Sequence, residues 1–305
     1  MLTELLVACM LATAAAQSVG PRILGGTSAA AGQYGHTVVI RLNHMSMCGG
    51  SILNNRFVLT AGHCFYDFRL NVNYNCVTTF LVFLSRGMPA SNFSIQYGTT
   101  KNSIGAMAPN VILVKKVIIH PYYQPENPRK NDLSILELQQ PIVFSRWVQP
   151  VVLPGVYDRT PAGAVAVLTG WGRTSNIGRM VIDLQAVDIR VYSDEDCQRI
   201  HGTVNNENHI CAGSPDEGKM QCKGDSGGPL ILGKVQIGVV SWSKKPCGLP
   251  GYPGVFVKLS SYVLWIKHVI GDDTSTNHCG NPLFQEYGLE IAVFEQSLSW
   301  RKNLN

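Results

Sequence analysis

Long basic runs are missing from this chain, and so is any apolar run long enough to cross a membrane as a helix. Lys and Arg outnumber Asp and Glu by 25 to 20, but they are scattered. A nucleic-acid binder concentrates its positive charge in a stripe or cluster. The spread here gives a mildly basic soluble surface and no expected nucleic-acid partner. Charge as a whole is scarce, 15% against 45% hydrophobic. That excludes a disordered chain, which needs the opposite balance. The apolar run covers residues 5–16, well short of the roughly 20 residues of a spanning helix. It ends in Ala14-Ala15-Ala16 before Gln17, which fits a secretory signal over residues 1–16 with a small-residue cleavage site. Glu4 and the lack of Lys or Arg before the run make a poor leader segment. The mature chain is then expected outside the cell and free of membrane. Metal-ligand patterns are lacking too. His120, His201, His209 and His268 stand apart without zinc spacing, and residues 97–110 hold no Asp or Glu. Calcium needs several oxygen ligands. No metal or other cofactor is expected.

Cysteine, by contrast, is plentiful. There are nine, and Cys9 leaves with the signal. The remaining eight fit an oxidising compartment. Downstream of Ile23, short β-branched and aromatic runs alternate with Gly, Pro and Asn. Examples are Thr37-Val38-Val39-Ile40, Arg56-Phe57-Val58-Leu59, Val165-Ala166-Val167-Leu168, and the stretches from Val111 to Ile119 and from Val235 to Trp242. Short runs with frequent turn signals predict an all-β sandwich or barrel. One helix is predicted after Ser260 and Ser261, either a candidate N-cap. Tyr262, Trp265, Ile266, Val269 and Ile270 recur there at helical spacing. Asn92-Phe93-Ser94 is an N-glycosylation sequon.

Three segments carry acyl-transfer chemistry: Thr60-Ala61-Gly62-His63-Cys64, Asn131-Asp132-Leu133-Ser134-Ile135-Leu136 and Gly224-Asp225-Ser226-Gly227-Gly228-Pro229-Leu230. They offer an imidazole base, a carboxylate to orient it and a hydroxyl nucleophile. A serine hydroxyl is a weak nucleophile at neutral pH and needs such a base held in the right tautomer. Gly-Asp-Ser-Gly-Gly also matches the nucleophile elbow of α/β-hydrolases, but that fold runs Ser, acid, His. Here the order is His63, Asp132, Ser226. In that order, the blocks resemble the active-site segments of the trypsin/chymotrypsin family of serine peptidases, and the resemblance runs from about Ile23 to about Ile270.

The resemblance implies two six-stranded antiparallel β-barrels, a C-terminal helix and a cleft between the barrels. It implies a secreted endopeptidase whose domain spans residues 23–271, with catalytic His63, Asp132 and Ser226 and an oxyanion hole from the backbone N–H groups of Gly224 and Ser226. It pairs Cys48 with Cys64, Cys197 with Cys211 and Cys222 with Cys247. Cys76 and Cys279 have no partner in the family pattern; they could join each other, bridge to another chain or stay free. Arg22-Ile23-Leu24-Gly25-Gly26 resembles a zymogen activation site. Cleavage after Arg22 would end a propeptide of residues 17–22, and the freed ammonium of Ile23 would pair with Asp225.

The family's primary pocket has its base six positions before the nucleophile, here Met220, with walls at Ser241, Trp242, Ser243 and Gly254. Met is apolar and offers a cationic side chain nothing, and burying an unpaired charge is costly. Asp216 and Glu217 lie upstream and should miss the pocket, while Lys223 sits at the rim. Uncharged, largely apolar residues such as Leu, Met or Phe are therefore expected on the acyl side of the scissile bond. Arg22 would then be cut by a separate trypsin-like protease. Other expected partners are protein or peptide substrates and protein inhibitors. Two segments depart from the family: an insertion at about residues 66–92 and a tail at 272–305. Either the insertion walls the cleft, or these segments come from a faulty gene model. The competing reading is a non-catalytic homologue that keeps the fold for binding.

Overall fold

The computed structural model describes residues 25–70 and 89–272, except 104, 106 and 127. The expected signal, the expected propeptide with Arg22, Ile23, Cys76, Cys279, most of the expected insertion and the tail beyond Asp272 lie outside the described residues.

Short strands form where β-branched and apolar residues cluster, because branched side chains pack well on a pleated surface. In the first half these are β2 (Thr37–Leu42), β3 (Met45–Ile52), β4 (Phe57–Thr60), β5 (Phe93–Gln96), β6 (Val111–Ile119) and β7 (Ser134–Leu138). They close into an antiparallel barrel in the order β2-β3-β4-β7-β6-β5. In the second half β8 (Val165–Gly170), β9 (Gln185–Val191), β10 (His209–Gly213), β11 (Pro229–Leu232), β12 (Val235–Trp242) and β13 (Gly254–Lys258) form a second ring. It closes because β8 pairs with both β9 and β11. A two-residue strand, β1 (Thr27–Ser28), adds to the outside of β9. Closure removes the unpaired strand edges that an open sheet would expose.

Each barrel is filled by its own apolar residues. Ala166, Leu168, Ile189, Ile210, Leu230 and Phe256 form one buried cluster in the second; Ile95, Leu59, Ile135 and Val114 are buried in strands of the first. Burying such a side chain stabilises the fold by about 1.5–3 kcal/mol. The two rings meet beside Ser226. The Gly49 N–H in β3 donates to the Ser226 carbonyl at 2.8 Å, and the Thr37 and Thr169 hydroxyls lie 2.9 Å apart.

Among the described residues, three α-helices accompany the strands. Helix α1 (His63–Leu70) starts on the predicted base. Helix α2 (Asp194–His201) has no apolar stripe to predict it, although its end signals are present. Ser193 accepts from the Asp196 N–H as N-cap, acids fill the first turn, and Gly202 ends the helix with φ 68°. Helix α3 (Val263–Ile270) is the predicted C-terminal helix. Ser260 and Ser261 are not its N-cap: they fall in a separate 3-10 turn, Leu259–Ser261, and the Ser261 hydroxyl donates to the Glu207 carbonyl instead. From Leu264 onward the chain forms a second unit; in it Ile266 is buried while Leu264, Lys267 and His268 are exposed. No helix among the described residues is long and apolar enough to cross a membrane.

Candidate active site

His63 is the first residue of α1, so its backbone N–H has no partner inside the helix. Asp132 supplies one: Oδ1 accepts that N–H at 2.7 Å, and Oδ2 lies 2.8 Å from the ring Nδ1 of the same histidine. One carboxylate thus caps the helix and orients the imidazole. Asp132 is itself presented by a tight turn. Asn131 adopts φ 53°, a conformation that Asn tolerates better than most residues. The Asn131 side chain locks the turn, with Nδ2 donating to the Tyr122 carbonyl and Oδ1 accepting from the Tyr262 hydroxyl, both at 2.8 Å. A methyl group at Gly62 would lie 3.2 Å from the Leu133 carbonyl oxygen, so the small residue eases this close approach.

A second donor reaches Asp132 from the other barrel. The Ser241 hydroxyl donates to Oδ2 at 2.5 Å. The pairing of β12 with β13 shifts between Val240 and Trp242, which leaves Ser241 as a bulged residue. Bulges re-aim side chains next to sites, and this one turns the hydroxyl onto the carboxylate. Asp132 has no exposed surface. Burial by itself would raise its carboxyl, but the His63 charge and the hydrogen bonds from the His63 ring, Ser241 and the His63 backbone outweigh it and hold the carboxyl below its usual range.

Ser226 lies on a turn pressed against the first barrel. Gly227 sits at φ 78°, where a Cβ would run into the Thr60 hydroxyl and the Gly49 carbonyl. Only glycine passes that closely. The Gly227 N–H donates to the Val240 carbonyl at 2.9 Å. Gly224 is at φ 103°. Among the described residues, the N–H groups of Gly224 and Ser226 make no hydrogen bond, and none joins the Ser226 hydroxyl to the His63 ring. Ser226 is half-buried and the His63 ring nearly buried, 13% exposed; the Cys64 sulfur of the Cys48–Cys64 disulfide lies 3.9 Å from the Ser226 carbonyl oxygen. His63 and the two sulfurs lie close together, but a disulfide has no thiolate to offer a metal.

Asp225 is fully buried and accepts N–H bonds from Gly172 at 2.8 Å and Cys222 at 2.9 Å. A Cβ on Gly170 or Gly172 would collide with its carboxylate, so two glycines make its niche. No cation pairs with it among the described residues, and burial pushes its carboxyl up to about 7 despite the two N–H bonds. The loop is held by the Cys222–Cys247 disulfide; a third joins Cys197 to Cys211.

The residues expected to line the primary pocket differ in burial. Met220 is buried, and its sulfur accepts the Gly248 N–H at 2.8 Å. Ser241 and Gly254 are buried, Trp242 and Ser243 half-buried, and Lys223 exposed. Asp216 and Glu217 are exposed, and Glu217 pairs with Lys219 at 2.6 Å. Three contacts here have no counterpart in the sequence reading: the Ser241 hydroxyl on Asp132, the Arg129 guanidinium donating to the Ser241 carbonyl at 3.2 Å, and the Gln221 amide donating to the Trp242 carbonyl at 3.1 Å. All three join residues far apart in the chain and leave no local signal.

This arrangement suits acyl transfer: a buried carboxylate orients an imidazole, and a serine stands on a glycine-rich turn with two unspent backbone donors nearby. Comparison with known proteins points the same way. The trypsin family model matches residues 23–266. Human (Homo sapiens) kallikrein-7 is 30% identical over 275 residues, which cover 90% of this chain and 95% of that protein. Mouse (Mus musculus) kallikrein 1-related peptidase b5 is 33% identical over 267 residues, covering 84% and 92% respectively. The chain belongs to the trypsin family of serine endopeptidases.

Proposed function

We propose that this protein is a secreted zymogen whose mature form hydrolyses peptide bonds through His63, Asp132 and Ser226. The observation that carries the reading is the double engagement of His63 by the buried Asp132 carboxylate, at its ring and at its backbone. With Nδ1 held as donor, Nε2 is left as the base. The Ser226 Oγ attacks the scissile carbonyl carbon while Nε2 takes the hydroxyl proton, and the oxyanion faces the N–H groups of Gly224 and Ser226. The C–N bond breaks as Nε2 returns the proton to the leaving amine. Water, deprotonated by the same nitrogen, then hydrolyses the acyl-enzyme. The hydrogen bond this step needs between the Ser226 hydroxyl and His63, not made among the described residues, is of the kind that often forms or tightens only when substrate binds.

Activation follows cleavage after Arg22 by a trypsin-like protease. The buried Asp225 supports this step: it is a carboxylate without a cation among the described residues, and the new Ile23 ammonium would supply one. Losing a partner from a buried ion pair typically costs about 3–5 kcal/mol, enough to order the loop through Gly224. Met220 at the pocket base supports an uncharged residue on the acyl side of the scissile bond. The test is labelling with a fluorophosphonate probe. Protein cut to expose Ile23 should label, and both uncut protein and cut Ser226→Ala should not. A correctly cut wild-type chain that stays unlabelled would refute the reading.

A further inference from the structure

A second residue of the second barrel reaches the loop that carries Asp132. His209, the first residue of β10, is 1% exposed. Its ring Nε2 lies 2.6 Å from the carbonyl oxygen of Arg129, a short way before Asp132 in the chain. A carbonyl can only accept, so Nε2 carries the proton. Nδ1 is then the acceptor, and the Asn205 N–H meets it at 3.2 Å. The Asn205 carbonyl oxygen, 3.1 Å from Nδ1, would accept only from a charged ring, and burial holds the ring below its usual range. In the neutral ring each nitrogen thus has one partner, and one of those bonds crosses between the barrels.

Arg129 is held a second time. Its guanidinium donates to the Ser241 carbonyl at 3.2 Å, while the Ser241 hydroxyl donates to Asp132. Main chain and side chain of one residue are therefore bonded to β10 and β12. Gln124 and Lys130 exchange both backbone N–H bonds, at 3.0 and 3.1 Å, so Arg129 lies just inside a closed loop that leads directly into Asn131 and Asp132. A buried imidazole is costly unless its nitrogens are bonded. An apolar side chain would fill the start of β10 without that cost; what the imidazole adds is the bond to the other barrel. We propose that His209 and Arg129 are positioning residues for Asp132: β10 grips the Arg129 main chain, β12 grips its guanidinium, and together they set where the carboxylate stands against His63. This rests on the reading of His63, Asp132 and Ser226 as the working triad and adds two residues outside it. The chemical step is sensitive to such placement, since a shift of about 1 Å in an oriented group can cost about 10²-fold.

The test uses cut, active-site-titrated enzyme. His209→Leu keeps an apolar body and removes the donor. Its kcat and kcat/KM should both fall by about tenfold with KM within about twofold of wild type, because the bond acts on the triad rather than on substrate binding. His209→Gln restores an N–H donor and should recover kcat to within about threefold of wild type. Arg129→Met should lower kcat by about threefold, and by less in the His209→Leu background, since both changes loosen one loop. Ile189→Val, in the core of the second barrel, is the stability control: it should lower the melting temperature and leave kcat within about twofold of wild type. Wild-type kcat in His209→Leu, a loss confined to KM, no recovery in His209→Gln, or an equal kcat loss in the control would overturn the proposal. Should His209→Leu fail to fold, an unchanged kcat in Arg129→Met would overturn it instead. Fluorophosphonate labelling of the same samples separates the two levels. Labelled wild type with unaffected variants refutes this inference alone, whereas unlabelled cut wild type refutes the reading beneath it.

Discussion

Asp132 concentrates three interactions on one side chain: the His63 ring, the His63 backbone and the Ser241 hydroxyl. Each can be removed separately. In Asp132→Asn the amide has one acceptor for three donors, and the imidazole is no longer held in the tautomer that frees Nε2. A kcat loss of about 10⁴-fold is expected, the size found for the equivalent change elsewhere in this family. Ser241→Ala deletes only the outer donor. One hydrogen bond to a carboxylate then fails while His63 stays oriented, so a loss of about three- to thirtyfold is expected. Steady-state kinetics on titrated enzyme would check both, and a Ser241→Ala enzyme as crippled as Asp132→Asn would contradict this ranking. Asp132 is legible in the chain because its block is local. The role of the Ser241 hydroxyl is not, since it depends on a bulge that only the pairing of β12 with β13 creates.

At the scale of elements, the decisive contact is between the Ser226 turn and strands β3 and β4. The Thr60 hydroxyl donates to the Gly49 carbonyl at 2.8 Å, and Gly227 fits against both. Gly227→Ala would place a methyl group inside that contact at a left-handed φ. We expect a loss of about 2–5 kcal/mol, combining an αL penalty of about 1–2 kcal/mol with overpacking of about 1–3 kcal/mol. A lowered urea midpoint, with loss of fluorophosphonate labelling, is the readout; an unchanged midpoint would show that the turn yields freely. Sequence patterning locates strands where apolar runs are long: β6 and β12 have the predicted ends, and β2, β4 and β8 differ by a residue or two. Helix α2 escapes such patterning because Cys197 and Ile200 are its only apolar residues, too few to mark a helical stripe. Only its caps announce it.

At the scale of the whole molecule, buried titratable groups set the response to pH. His36 and His120 are held neutral by burial, which pushes each down to about 4 from 6.5. Their contribution to stability is present above about 6.5 and is lost as pH falls through the folded value near 4. Asp225 has the opposite sign. Its carboxyl is raised from 3.8 to about 7, so its contribution is present below about 3.8 and is lost as pH rises towards 7. Two histidine shifts outweigh one carboxyl shift, and burial lowers His201 and His209 in the same direction. Uncut Ser226→Ala protein should therefore lose thermal stability as pH falls from about 7 to about 4. Adding Asp225→Asn removes the opposing contribution and should steepen that fall. A melting temperature that peaks near the acid end of this range would contradict the sign.

Local chemistry is enough to identify the peptidase blocks and the all-β character, because each is written in neighbouring residues or in composition. Tertiary structure alone decided which distant groups meet: Ser241 with Asp132, Arg129 with Ser241, and Gln221 with Trp242 and Gly254. The physical reason is that strand closure and a bulge set these contacts, and their geometry depends on the pairing of segments far apart in the chain rather than on the residues beside them.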